Sequence, residues 1–217
     1  LFTARDRAIS ECALAAREAV AEAGGFPALA SSHELAWEHL WRRFEVRLDG
    51  DGPDAERASL VLRLHVFHLL QTTYRAADLD AGVPARGLHG EAYRGHVFWD
   101  ELFVFPFLNL RMPELTRALL RYRYRRLGAA RRAARAEGLR GACYPWQSGS
   151  DGREESQALH LNPRSGRWAP DHSRRQRHVN AAIAVNVWQY YQLTGDDQFL
   201  SSYGAERILE IARFWAS

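Results

Sequence analysis

The stretch GEAYRGHVFWDELFVFPF, residues 90–107, decides how the rest of the chain is read. It opens as a Gly-rich loop carrying Glu91, Tyr93, Arg94, His96, Trp99, Asp100 and Glu101. It then becomes the most apolar helix of the chain, expected over Phe98–Leu110. A polar, aromatic loop feeding a buried helix is the pattern of a helical array whose long loops gather at one rim. A second loop, YPWQSGSDGREE at 144–155, repeats the chemistry with Trp146, Gln147, Asp151, Glu154 and Glu155. Aromatic faces stack on the CH face of a pyranose, while carboxylates and amides meet its hydroxyls. The two loops therefore predict one wall of a sugar pocket.

Outward from this stretch the pattern stays helical. Thr3–Ala23 carries apolar residues at helical spacing, with Thr3 and Asp6 as a passable cap, and GGFP at 24–27 breaks it. Ser32 can cap a helix carrying Leu35, Trp37, Leu40, Trp41 and Phe44. Glu45–Leu48 reads as a short strand ending at the DGDGP turn. Pro53 starts a long helix to about Ala77, apolar around most of its circumference and expected to be largely buried. Another runs from Pro113 to about Glu137 with a face of arginines. Residues 138–173 read as one long irregular stretch, and such loops are usually functional. Arg175–Leu193 is the clearest buried helix. Asp197–Tyr203 is a short one, and Ala205–Ala216 begins the last. No stretch alternates as a convincing sheet, so the chain reads as all-α, a toroid of helical hairpins or a layered α-array.

Bulk properties narrow the function classes. The chain has 217 residues, a net charge of +3, and 29 basic residues that are all Arg. The Arg-for-Lys bias reads as base composition. The nine Arg between Arg117 and Arg140 read as a solvated outer face and not as a nucleic-acid surface. No apolar run approaches the ~20 residues of a membrane span. Cys12 and Cys143 lie far apart, which fits a reducing, cytoplasmic setting. His65 and His68 are three apart on one helix without a third ligand at a recognisable interval, so no metal is expected. Both chain ends read as mid-helix, as in a segment of a longer protein.

Four stretches taken together carry a resemblance: GLHGEAYRGHVFWDELFVFPF, YPWQSGSDGREESQ, HLNPRSGRWAPDHSRRQRHVNAAIAVNVWQYY and GAERILEIARFWAS. The chain resembles the glycoside hydrolase family of maltose, trehalose and kojibiose phosphorylases, from about Asp54 onward. The resemblance implies an (α/α)6 toroid-type barrel, incomplete in this chain. Residues 1–48 would be linker-like helices leading into it, and 49–217 its N-terminal part. It implies cleavage of an α-linked glucosyl disaccharide with inversion, by inorganic phosphate as co-substrate or by water, with no other cofactor. Trp99 and Asp100 match the pair that holds the glucosyl ring, and Trp146 matches a residue lining the same pocket. The acidic residues after Trp146 would lie nearby.

The remaining candidates are weighed on chemistry. Of the acids after Trp146, Glu154 is preferred over Glu155 for facing the pocket. Gln147 is an amide for the rim. Arg94 and His96 are placed to orient Asp100 or Glu91, and Glu101, offset about 100° from Asp100 on a helix, is expected to pair with an Arg. The family's general acid is a Glu in a GPDEY-like motif, and this sequence has none. The chain alone is therefore expected to bind without turning over. Two other readings stay open: a catalytically silent sugar-binding domain, and a helical scaffold for a protein partner. Apolar faces of Phe98–Leu110 and Ile183–Tyr191 left uncovered would make the chain either a homo-oligomer or one part of a larger molecule.

Overall fold

The computed structural model describes residues 8–74, 79–90 and 92–217. The chain divides into two compact units, 1–50 and 51–217. In the first unit, a 3-10 turn at Ile9–Glu11 leads into α1, Cys12–Glu22, and α2 follows over Phe26–Phe44. Pro27 at the first turn of α2 costs no hydrogen bond there. Trp37 and Trp41, one turn apart, bring their rings to 5.9 Å. The expected Thr3 cap lies outside the described residues. The expected strand at Glu45–Leu48 does not form; those residues are irregular. Glu45 instead closes α2, donating its backbone N–H to the Trp41 carbonyl at 2.8 Å, and no described strand pairs with the residues after it.

The second unit holds α3 (Pro53–Thr73), α4 (Glu101–Arg111), α5 (Pro113–Arg125), α6 (Leu127–Ala136), α7 (Val179–Thr194), α8 (Asp197–Phe199) and α9 (Ala205–Trp215). α4 packs on α7 and α5, α5 also packs on α7, and α9 packs on α7 and α6. Phe105, Leu108, Leu115, Leu119, Leu120, Ile183, Val187, Phe199 and Ile211 fill the space between them. A π-helical turn at Leu200–Gly204 joins α8 to α9. Gly204 is needed there because a Cβ would lie 2.9 Å from Val187 of α7. The all-α expectation holds, with one exception. The stretch expected to be wholly irregular contains a hairpin, β1 (Leu159–Asn162) against β2 (Arg167–Pro170), in antiparallel register with Leu161 opposite Trp168. Asn162 Oδ1 closes its turn by accepting from the backbone N–H of Arg164 and Ser165.

Three further expectations are corrected. α3 is not largely buried: only Val66, Leu70 and Thr73 are, while Leu60 and Leu64 are 68% and 50% exposed. The helix expected to run unbroken from Pro113 breaks at Arg126 into α5 and α6. The Arg run is not a uniformly solvated face either. Arg123 is 1% and Arg126 6% exposed, and each is drawn inward by acceptors that sequence spacing does not reveal.

Candidate functional site

The two loops singled out above run side by side. Val97 and Ser148 exchange both backbone hydrogen bonds, at 3.0 and 2.9 Å. Ala85 N–H donates to His96 on the other flank, and Glu155 N–H to Gln147. This ladder of isolated bridges, Pro84–Val97–Ser148–Glu154, aligns residues about 50 positions apart in sequence. It is anchored from beneath by α5. Tyr122 hydroxyl is 2.8 Å from Ser148 Oγ and also donates to the Gly149 carbonyl. Arg126 lies over the Tyr122 ring at 3.8 Å and donates to Asp80 and to the Ser150 carbonyl. From α7, Asn180 Oδ1 accepts the Tyr144 N–H at 2.7 Å.

The ladder gathers rings. Trp99 and Trp146 lie 6.1 Å apart, and the His178 ring, just ahead of α7, lies 4.9 Å from each. Phe98 supports Trp146 edge-on at 5.5 Å, and Tyr93 supports Phe98 at 4.9 Å. Tyr93 and Arg94 hold positive φ of 56° and 54°, and Gly95 follows at 69°. Two non-glycine residues in the left-handed region cost energy that the surroundings must offset. The Tyr93 ring stack offsets part of it, and so does Arg94 Nη2, which donates to the Glu155 carbonyl at 3.1 Å.

Asp100 stands beside Trp99 at the start of α4. As a helix-start carboxylate it could have capped the helix, yet its side chain makes no cap hydrogen bond. It is half-buried, and burial pushes its carboxyl above the ordinary range. It opens onto a cavity of about 330 Å³ lined also by His65, His68, Arg86, His89 and Phe103. His68 and His89 bring their rings to 4.0 Å. Among the described residues no three His, Cys, Asp or Glu converge to hold a metal ion.

The other candidates hold the loops. Glu154 accepts the N–H of Trp146 and Ser156 at 2.8 and 3.0 Å and that of Gln147 at 3.1 Å. Its carboxylate is spent on the turn that presents the ring. Gln147 Nε2 is 2.7 Å from His96 Nδ1, so the amide is fixed across the ladder. Glu101 is 2% exposed and meets Arg123 at 3.3 Å, while Arg123 Nη2 donates to the Phe98 carbonyl at 2.6 Å. One buried guanidinium thus grips the chain on both sides of Trp99 and Asp100. Glu91 lies outside the described residues. His178 and His89 join the site without a signal strong enough to single them out. The nearest hint is the position of His178 one residue before an apolar helix.

Residues 63–217 match the model of the glycosyl hydrolase family 65 central catalytic domain. The chain belongs to that family. It is 59% identical, over 99% of its length, to an uncharacterized glycosyl hydrolase of Mycobacterium tuberculosis. It is 46% identical, over 82% of its length, to the trehalose 6-phosphate phosphorylase of Lactococcus lactis. The chain spans 16% and 23% of the lengths of these relatives. A solved structure of a candidate kojibiose phosphorylase from the human microbiome superposes with a TM-score of 0.75 at 24% identity. It is covered over 29% of its own length and 98% of this chain, which establishes the helical-barrel fold.

Proposed function

We propose that this chain supplies the glucose-binding wall of an inverting enzyme that cleaves an α-linked glucosyl disaccharide. The observation that carries this reading is the ring cluster of Trp99, Trp146 and His178 beside Asp100, a half-buried carboxylate that caps no helix and pairs with no described cation. A sugar ring stacks on Trp99 or Trp146, and Asp100 accepts from two neighbouring hydroxyls. Its partial desolvation strengthens those bonds. Gln147, steadied by His96, adds a rim contact. Glu154 and Arg94 act through the loops they hold.

Inversion needs an acid to protonate the leaving oxygen and a nucleophile on the opposite face of the anomeric carbon. Inorganic phosphate as nucleophile would give β-glucose 1-phosphate, and water would give β-glucose. The sequence holds no GPDEY-like motif, so the wall binds and orients the sugar while the proton comes from residues this chain does not have. A cytoplasmic setting belongs to the same reading. Cys143 is a free thiol, and no described helix is long and apolar enough to cross a membrane.

Titration of the chain with glucose, maltose, trehalose and kojibiose, followed by tryptophan fluorescence, tests the wall. Saturable binding is expected. Asp100→Asn should weaken it by roughly 1.5–3 kcal/mol, the worth of hydrogen bonds to a charged group. Absence of binding, or binding indifferent to both Trp99→Ala and Asp100→Asn, would remove the reading. Phosphorolysis or hydrolysis by the chain alone would overturn the division of labour.

A further inference from the structure

A second, larger cavity of about 710 Å³ is walled in part by the Tyr144–Glu155 loop, and none of Trp99, Trp146, His178 and Asp100 lines it. Its floor is apolar, made of Ala129, Ala130 and Ala133 with Cys143 and Pro145 behind them. Five arginines stand around it: Arg132 from α6, Arg153 from the loop, and Arg174, Arg175 and Arg177 ahead of α7. Two of them are neutralised, Arg153 by Asp151 at 2.6 Å and Arg177 by Glu137. Arg132, Arg174 and Arg175 have no carboxylate partner among the described residues. The two carboxylates that line the cavity are already engaged, Glu137 by Arg177 and Glu154 by the backbone N–H groups of its own loop.

A solvated arginine face would explain cations along one helix. Here they arrive from separate segments and surround one hollow. Unpaired cations around a concave surface with an apolar floor focus a positive potential. The planar guanidinium fork matches the oxygens of a phosphate and binds them bidentately. The volume lies in the range of small-molecule sites and far exceeds an inorganic anion. The alanine floor calls for an organic body beside the charge.

We propose that this cavity binds a sugar phosphate, its phosphoryl group held by Arg132, Arg174 and Arg175 and its body over the alanine floor. The ligand is a separate effector, since the cavity lining includes none of Trp99, Asp100, Trp146 and His178. Residues 152–154 wall this cavity, and Glu154 holds the backbone at Trp146, so occupancy here bears on the ring that faces the sugar.

Calorimetric titration of the 217-residue chain with glucose 6-phosphate, glucose and inorganic phosphate tests the site. Glucose 6-phosphate should bind saturably and more tightly than inorganic phosphate. The triple variant Arg132→Ala, Arg174→Ala, Arg175→Ala alters exposed residues that support no core contact, so it should remain folded by circular dichroism. It should lose glucose 6-phosphate by about tenfold or more while retaining its affinity for glucose. Asp100→Asn should leave the phosphate-dependent part of the affinity intact, which separates this site from the sugar wall. Simultaneous binding of glucose and glucose 6-phosphate to the parent chain is expected, and full competition between them would overturn the separate site. Undetectable binding of glucose 6-phosphate, or binding unchanged in the triple variant, would overturn the proposal. So would equal binding of glucose 6-phosphate and inorganic phosphate, which would mark non-specific attraction of anions.

Discussion

At the scale of single residues, a buried charge cluster holds the Phe98–Glu101 segment of the candidate site from within. Glu101, Arg123 and Arg207 are all within 2% of complete burial, with two cations facing one carboxylate. Burial pulls the Arg207 guanidinium down to about 10, which still leaves it charged at neutral pH. Burial also pushes the nearby Tyr144 hydroxyl up to about 12. Removing one partner of such a pair strands the other charge in the interior. Arg123→Met is expected to cost about 3–5 kcal/mol, and the Glu101→Gln, Arg123→Met pair less than Arg123→Met alone. Chemical denaturation of the two variants checks this, and a double variant as unstable as the single one would contradict it. Asp100 carries a prediction of opposite kind. Burial raises its carboxyl in the folded state, so the folded chain takes up that proton at a higher pH than the unfolded chain does. Acidification through this window therefore stabilises the fold at Asp100 while removing the charged acceptor for sugar. Sugar affinity should start to fall above the ordinary Asp value of about 3.9, and Asp100→Asn should abolish the trend. Affinity measured from pH 7 down to 4 reads it directly.

At the scale of elements, α6 and α9 are clamped by charge. Arg131 reaches Glu206 at 2.6 Å and Glu210 at 3.1 Å, and Arg213 also donates to Glu210. The hydrogen bonds from Arg131 and Arg213 hold the Glu210 carboxyl below its ordinary range. A depressed folded value means the clamp contributes fully above the unfolded value of about 4.3 and is lost as pH falls through the folded one. Glu210→Gln should therefore lower stability at pH 7 and flatten the acid limb, as urea midpoints between pH 3 and 7 would show. A mutant whose acid limb matches the parent would refute the assignment. Next to this clamp, Ala142 N–H donates to the Glu210 carbonyl. Gly141 permits that approach, with φ of 69° and no room for a Cβ, which would sit 2.1 Å from the same oxygen. Periodicity misses the hairpin and the helix break for different reasons. The hairpin at 159–170 is exposed on every strand residue and so has no buried face to write an alternation. The break at Arg126 falls where the guanidinium turns inward to Asp80 and the Ser150 carbonyl, partners 46 and 24 residues away.

At the scale of the molecule, helices that read as interior carry open apolar faces. Phe103 and Leu110 of α4 are 66% and 70% exposed, and Trp188 of α7 is 48%. Leu60 and Leu64 of α3 and Leu209 of α9 add to them. Apolar surface of this extent drives association. The chain alone is expected to form homo-oligomers whose mass rises with concentration, and to bind apolar dyes. Light scattering after size-exclusion checks this, and a concentration-independent monomer would refute it. Phe103→Glu with Trp188→Glu should shift the distribution toward monomer.

The sequence by itself determined the helical class, most helix positions, and the identity of the aromatic and acidic residues at the candidate site. These are local properties: side-chain period, Pro and Gly punctuation, and motifs read over a few residues. Only the tertiary structure decided which of them act together. It joined Val97 to Ser148, placed His178 against both tryptophans, turned Glu154 onto its own backbone and buried Arg123 against Glu101. Each of these depends on partners far apart along the chain. A side chain's role is set by the donors, acceptors and low-dielectric surroundings it meets after folding, and sequence spacing does not encode them.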